Sequence, residues 1–293
     1  MMERMFYFER PTGDDSRRLF CHGFVSEQAP AGVAFVVLNG FLDRMGDRHL
    51  RALQADLARV LAGCGCEVYH LDYFGTGDSY GETHEMDFEE SCRDVAHVVD
   101  TLRASGGRRH VVLFGVRLGA DLALRLAESR PDLEHLVLVE PVVDGRLFYK
   151  SRLFLRKSAH LLYDIHVDLD LEIDGQHYDD FDGVPVSRGL KEALLGLKVE
   201  GARCAGKNIL LYSLAASPEA TREMDIITDK RELESLRQSL SAANRVRFGM
   251  VPMEGDGQDL VRCLAPDVVQ FVRLLQSVPP GASRKTESAG TGR

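Results

Sequence analysis

Five residues constrain this chain more than any others: Gly115-Val116-Arg117-Leu118-Gly119. The apolar run His110-Val111-Val112-Leu113-Phe114 precedes them, and the helical pattern Ala120-Asp121-Leu122-Ala123-Leu124-Arg125-Leu126-Ala127 follows. A strand that becomes a helix across so short a turn leaves its central residue in a strained backbone, and flanking glycines suit such a turn. A Gly-x-nucleophile-x-Gly elbow of this kind normally holds out Ser, Cys or Asp as the attacking group. Here the tip is Arg117, cationic at any working pH and unable to attack a carbonyl.

Strand and helix patterns alternate around the elbow. Met5-Phe6-Tyr7-Phe8-Glu9 and Arg18-Leu19-Phe20-Cys21-His22 flank a turn-rich stretch and read as an N-terminal β-hairpin. Residues 32–38 and 67–71 read as buried strands, and residues 47–62 and 87–104 as helices, the second with Asp87 as cap and Glu90 three positions on. A strand over 135–141 follows the elbow helix. Residues 208–212, a helix from 230 to 240, a strand over 245–251 and a helix over 266–275 complete the pattern. Alternation of this kind predicts a mostly parallel, doubly wound α/β sheet, with its site beyond the carboxyl ends of the strands. Those ends hold Asn39, Asp72, Arg117 and Glu140.

Residues 145–200 break the alternation and read as an inserted α+β cap between two core segments, 1–144 and 201–276. The cap contains a basic amphipathic helix over 147–162, a strand over 165–174 with strict period-two alternation, an Asp174-Gly175 hairpin turn, and a helix over 187–197. Residues 277–293 are polar and read as a disordered tail.

The chain has 293 residues, a net charge of −9 and no apolar run long enough for a membrane span. An acidic balance argues against nucleic acid as a partner. The N-terminus lacks the apolar stretch of a signal peptide, so a cytoplasmic location is expected. The six cysteines (21, 64, 66, 92, 204 and 263) form no metal-binding or redox pair and read as reduced, mostly buried thiols. Asp168, Asp170, Glu172 and Asp174, with His166 beside them, lie on one face of the cap strand. Without a glycine-rich loop they read as a solvated edge that blocks aggregation rather than as a metal site. No pattern calls for a cofactor or a metal. Gly75-Thr76-Gly77 lacks the third glycine and the helix start of a nucleotide fingerprint.

With these residues in view, the chain resembles the α/β-hydrolase superfamily, in its serine aminopeptidase-like branch, over nearly its whole length. Asp72-x-x-Gly75-x-Gly77-x-Ser79 is similar to a signature of that branch. Asn39-Gly40-Phe41 stands where the family usually has His-Gly-Phe, the loop that carries part of the oxyanion hole. Gly115-Val116-Arg117-Leu118-Gly119-Ala120 and Glu140-Pro141-Val142-Val143-Asp144-Gly145 resemble a closer group, the hydrolase-like proteins encoded with the exosortase system of exopolysaccharide-producing bacteria. The resemblance implies an α/β-hydrolase fold and a setting in exopolysaccharide metabolism.

A working triad needs nucleophile, acid and histidine in that chain order. The nucleophile position is Arg117. The acid should follow the strand over 208–212, where Asp225 is the nearest candidate. The histidine should follow the strand over 245–251, but that loop holds Asp256 and no histidine, and none occurs after His177. The two groups that attack and transfer protons are both missing.

Arg117 then has two readings. A helix N-terminus favours an anion, and a guanidinium there adds a planar fork of donors, so Arg117 with backbone N–H groups near Leu118 and Gly40 can bind a carboxylate or phosphate. Alternatively the arginine is buried in an ion pair with Glu140 or Asp256. Three functions follow: a non-hydrolytic protein that binds a small anionic or acyl ligand; an ester or thioester hydrolase using Asp72, Asp225 or Asp256 with a water, Arg117 stabilising the oxyanion; and a scaffold or regulatory subunit. The cap, basic on its first helix and carrying eight acids and no Lys or Arg between Lys157 and Arg188, can serve as a surface for a homodimer or a partner protein.

Overall fold

The computed structural model describes residues 1–13, 15–26, 32–40, 48–105, 110–163, 170–181, 183–199, 204–215, 230–252 and 258–277. The N-terminal hairpin forms as its pattern predicts. β1 (Met2–Thr12) and β2 (Asp15–Val25) pair antiparallel, with Phe8 opposite Leu19. β2 joins the rest of the sheet antiparallel to β4 (Glu67–Leu71). From β4 onward all neighbours are parallel: β3 (Val33–Leu38), β5 (His110–Val116), β6 (His135–Val139), β10 (Asn208–Ala215) and β11 (Arg245–Pro252). The order across the sheet is β1-β2-β4-β3-β5-β6-β10-β11.

Both faces are covered, because the central strands are apolar at most positions, β3 at all of them, and each face needs a layer of helices. Ala34, Val36 and Leu38 of β3 face one core with α2 (Phe88–Ala104) and α3 (Leu118–Ser129). Val33, Phe35 and Val37 face the other, with α1 (Arg48–Gly63) and α7 (Gln258–Gln276). α6 (Lys230–Ala243) lies against the first of these cores through Leu233, Leu236 and Leu240.

One sequence expectation needs correction. α7 begins at Gln258, upstream of the predicted start at residue 266, and Pro266 lies inside it. A proline removes one intrahelical hydrogen bond but leaves the apolar stripe intact. Leu264, Val268 and Val272 are all buried on that stripe, so packing carries the helix through the proline. Asp87 caps α2 by accepting the Glu90 N–H at 2.8 Å, but the Glu90 carboxylate faces the hairpin: Oε2 meets Arg10 Nη2 at 2.5 Å and Arg17 Nη1 at 3.0 Å. Arg10 Nε also reaches Asp94 at 2.6 Å, and that carboxylate is fully buried.

Between β6 and β10 the chain forms α4 (Gly145–Tyr163), β7 (Asp170–Ile173), β8 (Gln176–Phe181), β9 (Val184–Val186) and α5 (Arg188–Gly196). The three strands make a separate antiparallel sheet in the order β7-β8-β9. Asp174 and Gly175 turn β7 into β8 with φ of 50° and 74°, the left-handed pair a two-residue hairpin requires. β7 is an edge strand with Asp170 and Glu172 exposed. Residues 164–169, with Asp168 and His166, lie outside the described residues, as does the tail from 278.

Candidate functional site at the strand ends

Arg117 sits where the elbow pattern puts it, between the end of β5 and the start of α3, with φ 50° and ψ −122°. Its N–H donates to Val139 O at 2.9 Å, and its carbonyl accepts from Ala120 N at 2.8 Å and Asp121 N at 3.2 Å. The residue is 4% exposed. The two glycines serve close approach rather than positive φ. A methyl at Gly119 would collide with the carbonyl oxygens of Leu38 and Asn39, and one at Gly115 with the first turn of α3. Neither glycine is left-handed; the strain is on Arg117 itself.

The neighbouring strand end is strained as well. Glu140 has φ 46° and Val143 has φ 51°, the latter a genuine outlier for a β-branched residue. Three such residues cluster at one end of the sheet, and strain of this kind persists only where the surroundings over-determine it. Glu140 donates its N–H to Tyr212 O at 2.8 Å, and its Oε2 accepts the Leu214 N–H at 2.7 Å, which ties the turn to β10.

Asp121, in the first turn of α3, holds the same turn from below. It is fully buried, and its Oδ2 accepts the Val142 N–H at 2.9 Å. Burial pushes its carboxyl up to about 7, although backbone N–H groups of Val142 and Val143 favour the charged form. Sequence reading passed over Asp121 as one more helical residue. The available signal was a carboxylate inside an otherwise apolar face, among Leu118, Ala120, Leu122 and Ala123.

On the other side of the elbow, Asn39 and Gly40 follow β3. Tyr73 donates its hydroxyl to Asn39 O at 2.9 Å, and His70 Nε2 lies 2.9 Å from Asn39 Oδ1 and 3.2 Å from Gln54 Oε1. His70 and Gln54 therefore position this loop, a role their spacing did not announce. Phe41, Asp225 and Asp256 lie outside the described residues. The structure thus brings Asn39, Gly40, Arg117, Leu118 and Glu140 to adjacent strand ends, with Asp121 beneath them.

Asp72 has structural work at the next strand end. Its Oδ2 accepts the Asp78 N–H at 3.1 Å, and its carbonyl accepts the Ser79 hydroxyl at 2.7 Å. The Gly75, Thr76 and Ser79 N–H groups bond to carbonyls of Tyr80, Tyr73 and Thr76, so those donors are spent within the loop rather than offered to a phosphate. Cys92 and Cys21 are poor nucleophiles: burial pushes Cys92 up to about 12 and raises Cys21 as well. Among the described residues no three His, Cys, Asp or Glu side chains converge as metal ligands. No described helix is long and apolar enough to cross a membrane.

A mostly parallel eight-stranded sheet in this order, with a strained elbow after its fifth strand, defines the α/β-hydrolase fold. Residues 34–233 match the serine aminopeptidase S33 family, and the chain belongs to that family. It is 30% identical over 131 residues to human monoglyceride lipase, covering 44% of this chain and 41% of the lipase. It is 32% identical over 105 residues to the lysophosphatidylserine lipase of Gallus gallus, covering 34% and 27%. The matched segments therefore span less than half of each of these relatives. Among solved structures, a soluble variant of Saccharomyces cerevisiae monoglyceride lipase bound to a substrate analogue superposes with a TM-score of 0.65. The identity is 12%, with coverage of 95% of this chain and 97% of that one. A Pyrococcus furiosus esterase superposes with a TM-score of 0.63 at 14% identity, with 93% and 91% coverage.

Proposed function

We propose that this protein has lost triad hydrolysis and uses the elbow to bind a small anionic or acyl ligand, in the cytoplasm and in a setting of exopolysaccharide-related metabolism. One observation carries the reading: the strained elbow is kept, with φ 50° and ψ −122°, while its tip is a buried arginine. Backbone strain costs on the order of 1–3 kcal/mol and needs a use. An arginine cannot be the nucleophile, and the chain has no histidine after His177 to act as base. A guanidinium at a helix N-terminus suits a carboxylate or phosphate headgroup, with the N–H groups near Leu118 and Gly40 as further donors. The names of the relatives, lipases of monoglycerides and lysophosphatidylserine, support an acyl chain on that headgroup. The exopolysaccharide setting rests on the elbow and Glu140–Gly145 motifs alone.

The same names favour one second reading, hydrolysis of an ester or thioester with Arg117 as oxyanion partner. The deciding experiment pairs a hydrolysis panel of short- and long-chain aryl esters and acyl thioesters with calorimetric titration of octanoate, wild type beside Arg117→Ala. We expect no turnover above buffer in either protein, and octanoate binding weakened at least about tenfold in the variant. Wild-type turnover that vanishes in Arg117→Ala would replace the binding reading with the hydrolytic one.

A further inference from the structure

We infer that α4 docks this protein peripherally on an anionic lipid surface. The helix has the sequence GRLFYKSRLFLRKSAHLLY, with Arg146, Lys150, Arg152, Arg156 and Lys157 and not one Asp or Glu, in a chain whose net charge is −9. Arg152 is buried. Arg146, Lys150 and Lys157 are exposed, and with them two large apolar side chains, Leu147 at 44% and Phe154 at 61%. At about 100° per residue these five positions fall on one arc of about 100°. Away from this arc, among the described side chains, Phe148, Tyr149 and Ser151 are buried, and Tyr149 packs on Phe181 with ring centroids 4.9 Å apart.

Such a face fits one occupant better than the others. Exposed Phe and Leu flanked by cations describe a helix lying in the headgroup region, its apolar side chains in the acyl boundary and its lysine stems spread along it. The charge is complementary to anionic lipid. A second copy paired helix to helix would set Arg146, Lys150 and Lys157 of each chain against the same residues of the other. α4 begins at Gly145, just beyond the strained turn at Glu140–Val143, so docking through it holds that end of the sheet at the bilayer. The inference does not depend on what Arg117 binds.

The test is co-sedimentation of the full chain with phosphatidylcholine vesicles, with and without phosphatidylglycerol, at low and high salt. Binding is expected only with phosphatidylglycerol, and weaker at high salt. Lys150→Gln and Lys157→Gln should each lower partitioning about fivefold, and Phe154→Ser at least about tenfold. All three are surface changes, and an unchanged melting temperature confirms that the fold is intact. Phe154→Ser should bind octanoate like wild type, which separates this proposal from the ligand reading. No binding to phosphatidylglycerol vesicles, or binding indifferent to Phe154→Ser, overturns it. So does a dimer, by light scattering, that Phe154→Ser dissociates.

Discussion

Asp121 is bound to both strained segments of the site: its backbone N–H reaches the Arg117 carbonyl at 3.2 Å, and its Oδ2 accepts the Val142 N–H at 2.9 Å. One helical residue therefore fixes the elbow and the turn after β6 in a single relative position. Glu140 ties the same turn to the next strand by accepting the Leu214 N–H on β10. Together they explain how Arg117, Glu140 and Val143 can all hold positive φ at one end of the sheet.

The buried carboxyl gives stability a pH dependence of definite sign. The Asp121 pKa rises from 3.8 in the unfolded chain to about 7 in the folded one. Between these values the folded state keeps a proton that the unfolded state has lost, so this group's contribution falls as pH rises through that window and is flat above it. The slope approaches at most about 1.4 kcal/mol per pH unit. Asp121→Asn keeps an acceptor for Val142 and cannot ionise. Urea midpoints should therefore decline less steeply across that range in the variant than in wild type. Identical slopes would place the titrating group elsewhere.

The elbow glycines and the hairpin glycine should separate sharply on substitution. Gly119→Ala drives a methyl into backbone oxygens that cannot rotate away, and the cost should be about 3 kcal/mol or more. Gly175→Ala meets nothing nearby and is penalised only for φ 74°, about 1 kcal/mol. Thermal melts of the two variants side by side check this. Equal losses would mean that the α3–β3 approach is looser than its geometry.

Much of this architecture was legible in the sequence because its signals are local. Period-two and period-3.6 patterns, Asp87 as a cap, Asp174-Gly175 as a hairpin turn and the paired glycines of the elbow all act within a few residues. What escaped was long-range. Nothing near Asp121 says that the backbone it bonds lies beyond β6, and nothing near His70 says that it meets Asn39 and Gln54. Nothing near Glu90 says that its carboxylate meets Arg10 and Arg17 of the hairpin. α7 ran past its predicted start because buried Leu264 and Val268 outweigh what Pro266 forbids.

The ion cluster that fastens the hairpin to α2 should be sensitive to loss of one sign of charge. Burial raises the Asp94 carboxyl even though Arg17 and Arg10 pull it down. Asp94→Ala would leave those two largely buried guanidinium groups sharing Glu90 alone, a loss of roughly 3–5 kcal/mol. Arg93→Ala, which removes an exposed partner of the same Glu90, should cost less than about 1 kcal/mol. Urea denaturation of both variants tests the contrast. A small loss for Asp94→Ala would show the hairpin is held by Phe8 and Leu19 packing instead.

Arg117→Ser recreates the family's residue at the elbow and should still give no esterase. Serine alone is a weak nucleophile, and the chain offers no histidine after His177 to take its proton. The same variant should lose roughly 3–5 kcal/mol of stability, because an arginine only 4% exposed must have its charge compensated and its removal strands the compensating group. Melting temperature and aryl-ester turnover read out the two effects separately. An unchanged melting temperature would mean the arginine is held without a compensating charge, which would strengthen its claim as a ligand contact. Appreciable turnover would mean that a base reaches the elbow from elsewhere in the chain.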